Sequence, residues 1–157
     1  MKESDIEKIR NTIDILEGFI GNANQKDIKS YKIPISVFSN KSAPLQSIIR
    51  YLKDFKKAKN SEISKAINRS PKTIYSSYVQ SKGYDFFVDE RDSIKIPLSE
   101  LTYSNSTVSE NLIYFLKAKE NLRTIDLARM LKRSPSCVSQ IYKRSVNKKK
   151  KNGLQKY

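Results

Sequence analysis

Ile67-Asn68-Arg69-Ser70-Pro71-Lys72-Thr73-Ile74 ends one helix and begins the next. Asn68-Arg69 interrupts the apolar spacing of Ile63, Ala66 and Ile67. Ser70 can accept from first-turn N–H groups, and Pro71 suits the first helical position, where its missing N–H costs nothing. The following helix is predicted to carry Ile74 and Tyr78 on one face, four residues apart, and to run to about Lys82 with a polar opposite face. The same punctuation returns at Leu131-Lys132-Arg133-Ser134-Pro135, followed by Val138 and Tyr142.

Working outward, the stretch belongs to an internal repeat. Ile33-Pro34-Ile35-Ser36 recurs as Ile96-Pro97-Leu98-Ser99, and Ile48-Ile49-Arg50-Tyr51-Leu52-Lys53 recurs as Leu112-Ile113-Tyr114-Phe115-Leu116-Lys117. Each copy reads as three helices. In the first copy Leu45, Ile48, Ile49, Leu52 and Phe55 fall at helical spacing behind Pro44, and Asn60 is placed to cap the second helix. In the second copy Thr124 takes that role before Leu127, Ala128 and Leu131, and Ser134 caps a helix bearing Val138, Ile141 and Tyr142. The expected fold is mainly α, with two tandem trihelical units joined by a short β-hairpin and preceded by an amphipathic helix. The expected divisions are 1–32 (helix and linker), 33–83 (first unit), 84–105 (hairpin linker), 106–147 (second unit) and 148–157 (basic tail).

Charge follows these divisions. Thirty-one Lys and Arg against 16 Asp and Glu give a net charge of +15, the footprint of a polyanion binder. Residues 33–83 contribute ten basic and two acidic groups and residues 106–157 thirteen and three, whereas 84–105 carry two and five. One cysteine and no histidine exclude disulfide frameworks, zinc fingers and imidazole chemistry. No nucleophile with a base and no glycine-rich phosphate loop is present, so neither an enzyme nor a cofactor is expected, and no small-molecule ligand is evident. The absence of any long apolar run, and a start through Lys2, Glu3 and Asp5, predict no membrane partner and a cytoplasmic, nucleoid-associated location.

Glu62-Ile63-Ser64-Lys65-Ala66-Ile67-Asn68-Arg69-Ser70-Pro71-Lys72-Thr73-Ile74 and Asp126-Leu127-Ala128-Arg129-Met130-Leu131-Lys132-Arg133-Ser134 resemble the helix-turn-helix of the promoter-reading region of sigma factors and of small archaeal regulators. The resemblance covers about 40 residues per repeat and implies that the third helix of each unit enters the major groove of double-stranded DNA, its capping hydroxyl and first-turn amides meeting a phosphate. Asn68 and Lys132 stand where the family often has Gly, at a turn that requires a left-handed backbone. Candidate contacts on the first reading helix are Lys72, Thr73, Tyr75, Ser76 and Gln80, and on the second Ser136, Ser139, Gln140, Lys143 and Arg144. Arg69 with Ser70, and Arg133 with Ser134, are the candidate phosphate anchors. Strong base-reading side chains are few, so a modest sequence preference over a large backbone contribution is expected. Tyr75 could equally stack on a sugar or pack under the first helix.

Three further segments complete the reading. Lys148-Lys149-Lys150-Lys151 with Lys156 is expected to be a disordered tail adding sequence-independent affinity. Tyr84–Val88 and Ser93–Ile96 flank Asp89-Glu90-Arg91-Asp92 as a hairpin too acidic to touch phosphate. Ile6, Ile9, Ile13, Leu16 and Ile20 repeat at heptad spacing, which fits either a homodimeric coiled coil, with Asp5 facing Arg10 of a parallel partner, or a helix folded onto its own repeat. The leading function is a DNA-binding transcriptional regulator. The alternatives are an architectural, nucleoid-associated protein and a DNA-end or origin-binding accessory protein of a mobile element or virus.

Overall fold

The computed structural model describes residues 2–23, 28–103 and 105–154, without the side chains of residues 17–23 and 154. The described residues form eight α-helices and one two-stranded antiparallel sheet. After α1 (Glu3–Ala23) come β1 (Lys32–Pro34), a 3-10 turn at Ile35–Ser39, α2 (Pro44–Asp54), α3 (Asn60–Ile67) and α4 (Pro71–Ser81). The second copy of the sequence repeat follows the same order, with β2 (Lys95–Pro97), a short α5 (Leu98–Leu101), α6 (Val108–Ala118), α7 (Thr124–Met130) and α8 (Pro135–Leu154). In each copy the three longer helices pack on one another: α2, α3 and α4 in the first, and α6, α7 and α8 in the second.

The connections inside the copies match in detail. Lys57 and Asn121 both take positive φ (54° and 53°) after the first helix, and Ala58 N–H and Leu122 N–H bond back to Leu52 O and Leu116 O. At the next turn Asn68 and Lys132 are left-handed (φ 53° and 51°), with Arg69 N–H on Ser64 O and Arg133 N–H on Ala128 O. A side-chain-bearing residue in this region costs on the order of 1 kcal/mol. Burial of Ile67 and Ile74 on either side of the first turn, and of Leu131 and Val138 around the second, offsets that strain.

Two expected caps move by one residue. Asn60 and Thr124 are the first helical residues, and the N-cap positions fall to Lys59 and Arg123. The reason is that both side-chain oxygens are already engaged: Lys53 Nζ donates to Asn60 Oδ1 (2.5 Å) and Lys117 Nζ donates to Thr124 Oγ1 (2.8 Å). Glu62 instead accepts from Lys59 N–H (2.8 Å), satisfying one end group of α3.

The expected hairpin between 84–88 and 93–96 does not form. β2 pairs antiparallel with β1, in the register Lys32 with Pro97, Ile33 with Ile96 and Pro34 with Lys95. The 84–92 segment has its polar groups taken by side chains of the first copy. Asn40 Oδ1 accepts from Phe87 N–H and Asn40 Nδ2 donates to Phe87 O, both at 2.9 Å. Ser36 Oγ accepts from Asp89 N–H (2.8 Å), and Asp92 Oδ2 accepts from Ser36 N–H (2.9 Å). The backbone groups of Phe87 and the N–H of Asp89 thus find partners without a strand pairing. Tyr51, buried in α2, donates to Glu90 Oε1 (2.9 Å) and ties the tip of the segment down.

Ile33 and Ile96 are fully buried at the sheet, in a single apolar core that includes Ile48, Ile49 and Leu52 from one copy and Leu112, Ile113 and Leu116 from the other. α2 also touches α6, so the two copies share one interior. Among the described residues no helix is long and apolar enough to cross a membrane. Ile33→Ala should therefore cost about 2–5 kcal/mol. Because the core is shared, calorimetry of this variant and of the parent should each show one unfolding transition. Two separable transitions in the parent chain would mean that the copies do not share a core.

Candidate nucleic-acid interface

α4 and α8 share three devices, of which the first seats each helix against its unit and the other two act within the helix itself. Lys53 Nζ lies 4.9 Å from the Tyr78 ring centroid, and Lys117 Nζ lies 5.1 Å from that of Tyr142. Each lysine thus joins all three helices of its copy, standing on the first, bonded to the second and seated over a tyrosine of the third. Ser81 and Ser145, both buried, donate to Tyr78 O and Tyr142 O at 2.6 Å. Ser70 Oγ accepts from Thr73 N–H, and Ser134 Oγ from Cys137 N–H, both at 3.2 Å, so the expected serine caps open both helices behind a first-position proline. The lysines and tyrosines recur in the sequence with one offset, 64 residues, and that shared offset was the available signal for this clamp.

On the outward face of α4, Lys72, Thr73, Tyr75, Ser76 and Gln80 are exposed, with Arg69 and Ser70 exposed just before the helix. Tyr75 is 61 % exposed and does not pack under α2. Some of this face is already engaged. Thr73 Oγ1 and Ser70 Oγ are bonded to each other (2.8 Å), and Gln80 Oε1 accepts from Gln46 Nε2 (2.8 Å). The corresponding face of α8 exposes Ser136, Gln140, Lys143 and Arg144, with Arg133 and Ser134 exposed before it and Ser139 half-buried. Among the described residues Arg69, Lys72, Arg133 and Lys143 enter no ion pair.

The two helices end differently. Arg50 Nη1 donates to Ser81 O and Tyr84 O, both at 2.6 Å, and its guanidinium lies 4.9 Å from the Phe86 ring centroid. This side chain takes up a final carbonyl of α4 and stops the helix where Gly83 follows. In the second copy Tyr114 stands in place of Arg50 and Asn147 in place of Gly83, and α8 continues to Leu154.

Lys148, Lys149, Lys150 and Lys151 are therefore helical, and the expected disordered tail is corrected over these residues; Lys156 lies outside the described residues. Two of the four fold back. Lys148 Nζ donates to Glu110 Oε2 (2.8 Å), and Lys149 Nζ lies 4.0 Å from the Tyr114 ring centroid and 4.7 Å from that of Tyr103. Lys150 and Lys151 remain exposed beside the outward face. Sequence reasoning missed these contacts because each partner lies far away in the chain, and four successive lysines read alike.

Glu110 is buried and also accepts from Thr107 N–H (3.0 Å). Burial pushes its carboxyl up, but the Lys148 bond, the Thr107 N–H and the charges of Lys148 and Arg144 together hold it below the ordinary carboxylate range. Asp126 is likewise lowered, chiefly by its bond from Arg123. Among the described residues no group of His, Cys, Asp and Glu could hold a metal ion.

Comparison with protein-family models, with curated proteins and with solved structures returns no match.

A carboxyl with a depressed folded-state pKa stabilises the fold above its unfolded pKa, and the unfolded chain takes up the proton first as pH falls. Stability should thus decline in acid below about pH 4–5, through the unfolded and then the folded pKa of Glu110. Glu110→Gln should flatten that decline, and Lys148→Ala should cost about 1–3 kcal/mol at neutral pH by leaving a buried carboxylate short of its partner. Denaturant melts across a pH series measure both; a Lys148→Ala protein as stable as the parent would show that the pair contributes nothing.

Proposed function

We propose that this protein binds double-stranded DNA through two helix-turn-helix units, α2–α4 and α6–α8, with α4 and α8 as reading helices, and acts as a transcriptional regulator. The observation that carries the proposal is the matched presentation of α4 and α8. Each is seated on its unit by the equivalent lysine, carries the same buried serine bonded within the helix, is opened by the same serine cap, and is exposed in front with an unpaired arginine at its start. Arg69 and Arg133 stand where a phosphate would meet the first turn, and helix N-termini favour such anions. The wide major groove of B-DNA admits such a helix, whereas the narrow groove of A-form RNA does not.

Base reading falls to few side chains. With Thr73 held by the Ser70 cap and Gln80 bonded to Gln46, α4 retains Lys72, Tyr75 and Ser76, while α8 offers Ser136, Gln140, Lys143 and Arg144. The second unit, with Lys150 and Lys151 beside it, should supply most of the affinity. This scarcity also favours a second reading, an architectural protein that coats DNA with weak sequence preference. The two readings separate on the ratio of affinities for a selected site and for random DNA across a salt series, a ratio near one belonging to the architectural protein.

The reading includes a homodimer formed through α1. Every described side chain from Lys2 to Leu16 is exposed, including Ile6, Ile9, Ile13 and Leu16 of the heptad seam; the side chain of Ile20 lies outside the described residues. The helix does not bury that seam on its own repeat, and a second copy would bury it by the same spacing. Sedimentation at tens of micromolar should show a dimer that Ile9→Asp with Ile13→Asp dissociates; a parent chain sedimenting only as monomer removes the dimer.

For DNA, Arg69→Ala with Arg133→Ala should weaken binding to all sequences and lower the salt slope by about 2. Lys72→Ala with Gln140→Ala should relax preference among sequences, each lost base contact being worth about 1–3 kcal/mol of discrimination. The reverse pattern would mean that anchors and readers have been exchanged.

A further inference from the structure

The two copies of the repeat meet through equivalent residues. Ile33 pairs with Ile96, its own counterpart, and the strands run antiparallel, so Lys32 meets Pro97 and Pro34 meets Lys95 as mirror positions of one register. Beyond the strands, Ile35 N–H donates to Ile94 O (3.1 Å) and Leu98 N–H donates to Tyr31 O (2.9 Å). Leu98 is the counterpart of Ile35, and Ile94 that of Tyr31, so each bond is the other with the copies exchanged. α2 packs against α6, again its own counterpart. Contacts of this isologous kind are made by a two-fold rotation and not by a translation along an axis, which would set unlike surfaces against each other.

Each copy carries its third helix in the same relation to its first and second, through the Lys53–Asn60–Tyr78 and Lys117–Thr124–Tyr142 clamps. The rotation relating the strands therefore relates α4 to α8 as well. We infer that a single chain has the symmetry of a helix-turn-helix dimer, and that its DNA partner is a site of two half-sites in inverted orientation, one read by α4 and the other by α8. The inference rests on the DNA-binding reading above. Operator symmetry mirrors protein symmetry, and a covalently linked pair of units gains effective concentration at the second half-site.

The faces differ in sequence, so the natural site has unlike halves, and equalising them exposes the symmetry. In the parent, Ser136, Ser139, Gln140 and Arg144 occupy the places of Lys72, Tyr75, Ser76 and Gln80. The substitutions Ser136→Lys, Cys137→Thr, Ser139→Tyr, Gln140→Ser, Lys143→Val and Arg144→Gln, made together in the full chain, give α8 the exposed face of α4, since Cys137 and Lys143 stand in the places of Thr73 and Val79. None of the six positions is among the buried residues, and a circular-dichroism melt establishes that the variant is folded before use.

Parent and variant are then taken through selection on a randomised duplex library. The variant should enrich a palindrome, two identical half-sites in inverted orientation. A duplex carrying them should bind at least ~10-fold more tightly than one carrying the same half-sites as a direct repeat. Enrichment of a direct repeat or of one undivided motif, or retention of DNA without any motif, overturns the inverted arrangement while the DNA-binding reading stands. Failure of the folded parent to retain the library at any salt concentration overturns both. Should the variant not fold, the parent's selected site is inverted as a whole half at a time; a loss of binding on turning one half to direct orientation supports the inference, and unchanged binding overturns it.

Discussion

The antiparallel meeting of Ile33 with Ile96 is the constraint on which the rest of the architecture depends. Both side chains are fully buried, and the short strands around them bring two copies of one sequence pattern together over a common interior. Neither copy is large, and a small core alone stabilises a domain poorly. Sharing the interior through α2 and α6 lets each copy bury apolar area that it would otherwise leave in water. The same pairing withdraws Lys95–Pro97 from the segment before it. Residues 84–92 then lie along the first copy, where Ser36 and Asn40 bind their backbone.

Within a copy, one lysine adds to the apolar packing that seats the third helix. Lys53 and Lys117 each put an ammonium between a side-chain oxygen at the start of the second helix and the face of a tyrosine on the third. A cation held on both sides in this way adds a directional attraction to the apolar packing of the third helix. Tyr78 has a further bond, to Asp54 Oδ1 (2.6 Å), which together with its burial pushes its hydroxyl pKa up. Tyr142 has no such partner because Ala118 stands in the place of Asp54, and it stacks with Tyr114 instead.

Divergence between the copies is concentrated where α4 stops and α8 continues. Arg50 binds the last carbonyl of α4 and that of Tyr84 beyond it, whereas Tyr114 in the same position seats Lys149. Two lysines of the terminal run are thereby turned toward the protein, Lys148 onto a buried carboxylate and Lys149 onto an aromatic face. The charge available to a polyanion is smaller than the run of four suggests. It is also fixed along a helix, beside the outward face of α8.

Much of the secondary structure was legible in the sequence because its determinants are local. Serine and proline at 70–71 and 134–135 open helices whatever surrounds them, helical spacing of Ile48, Ile49 and Leu52 marks a buried face, and the repeat shows that both copies obey the same rules. Of the candidate interface, the exposure of Arg69, Lys72, Gln140 and Lys143 followed from the same periodicity. Only the tertiary structure decided which of these side chains are already engaged, as Thr73 and Gln80 are, and how the copies face each other. A strand of three residues carries no mark of its partner, and Ile96 satisfies an adjacent hairpin or a distant strand equally well by pattern. The choice fell to the distant strand, which buries Ile33 and Ile96 together, while Ser36 and Asn40 bond the backbone of Phe87 and Asp89 in the segment that a hairpin would have used.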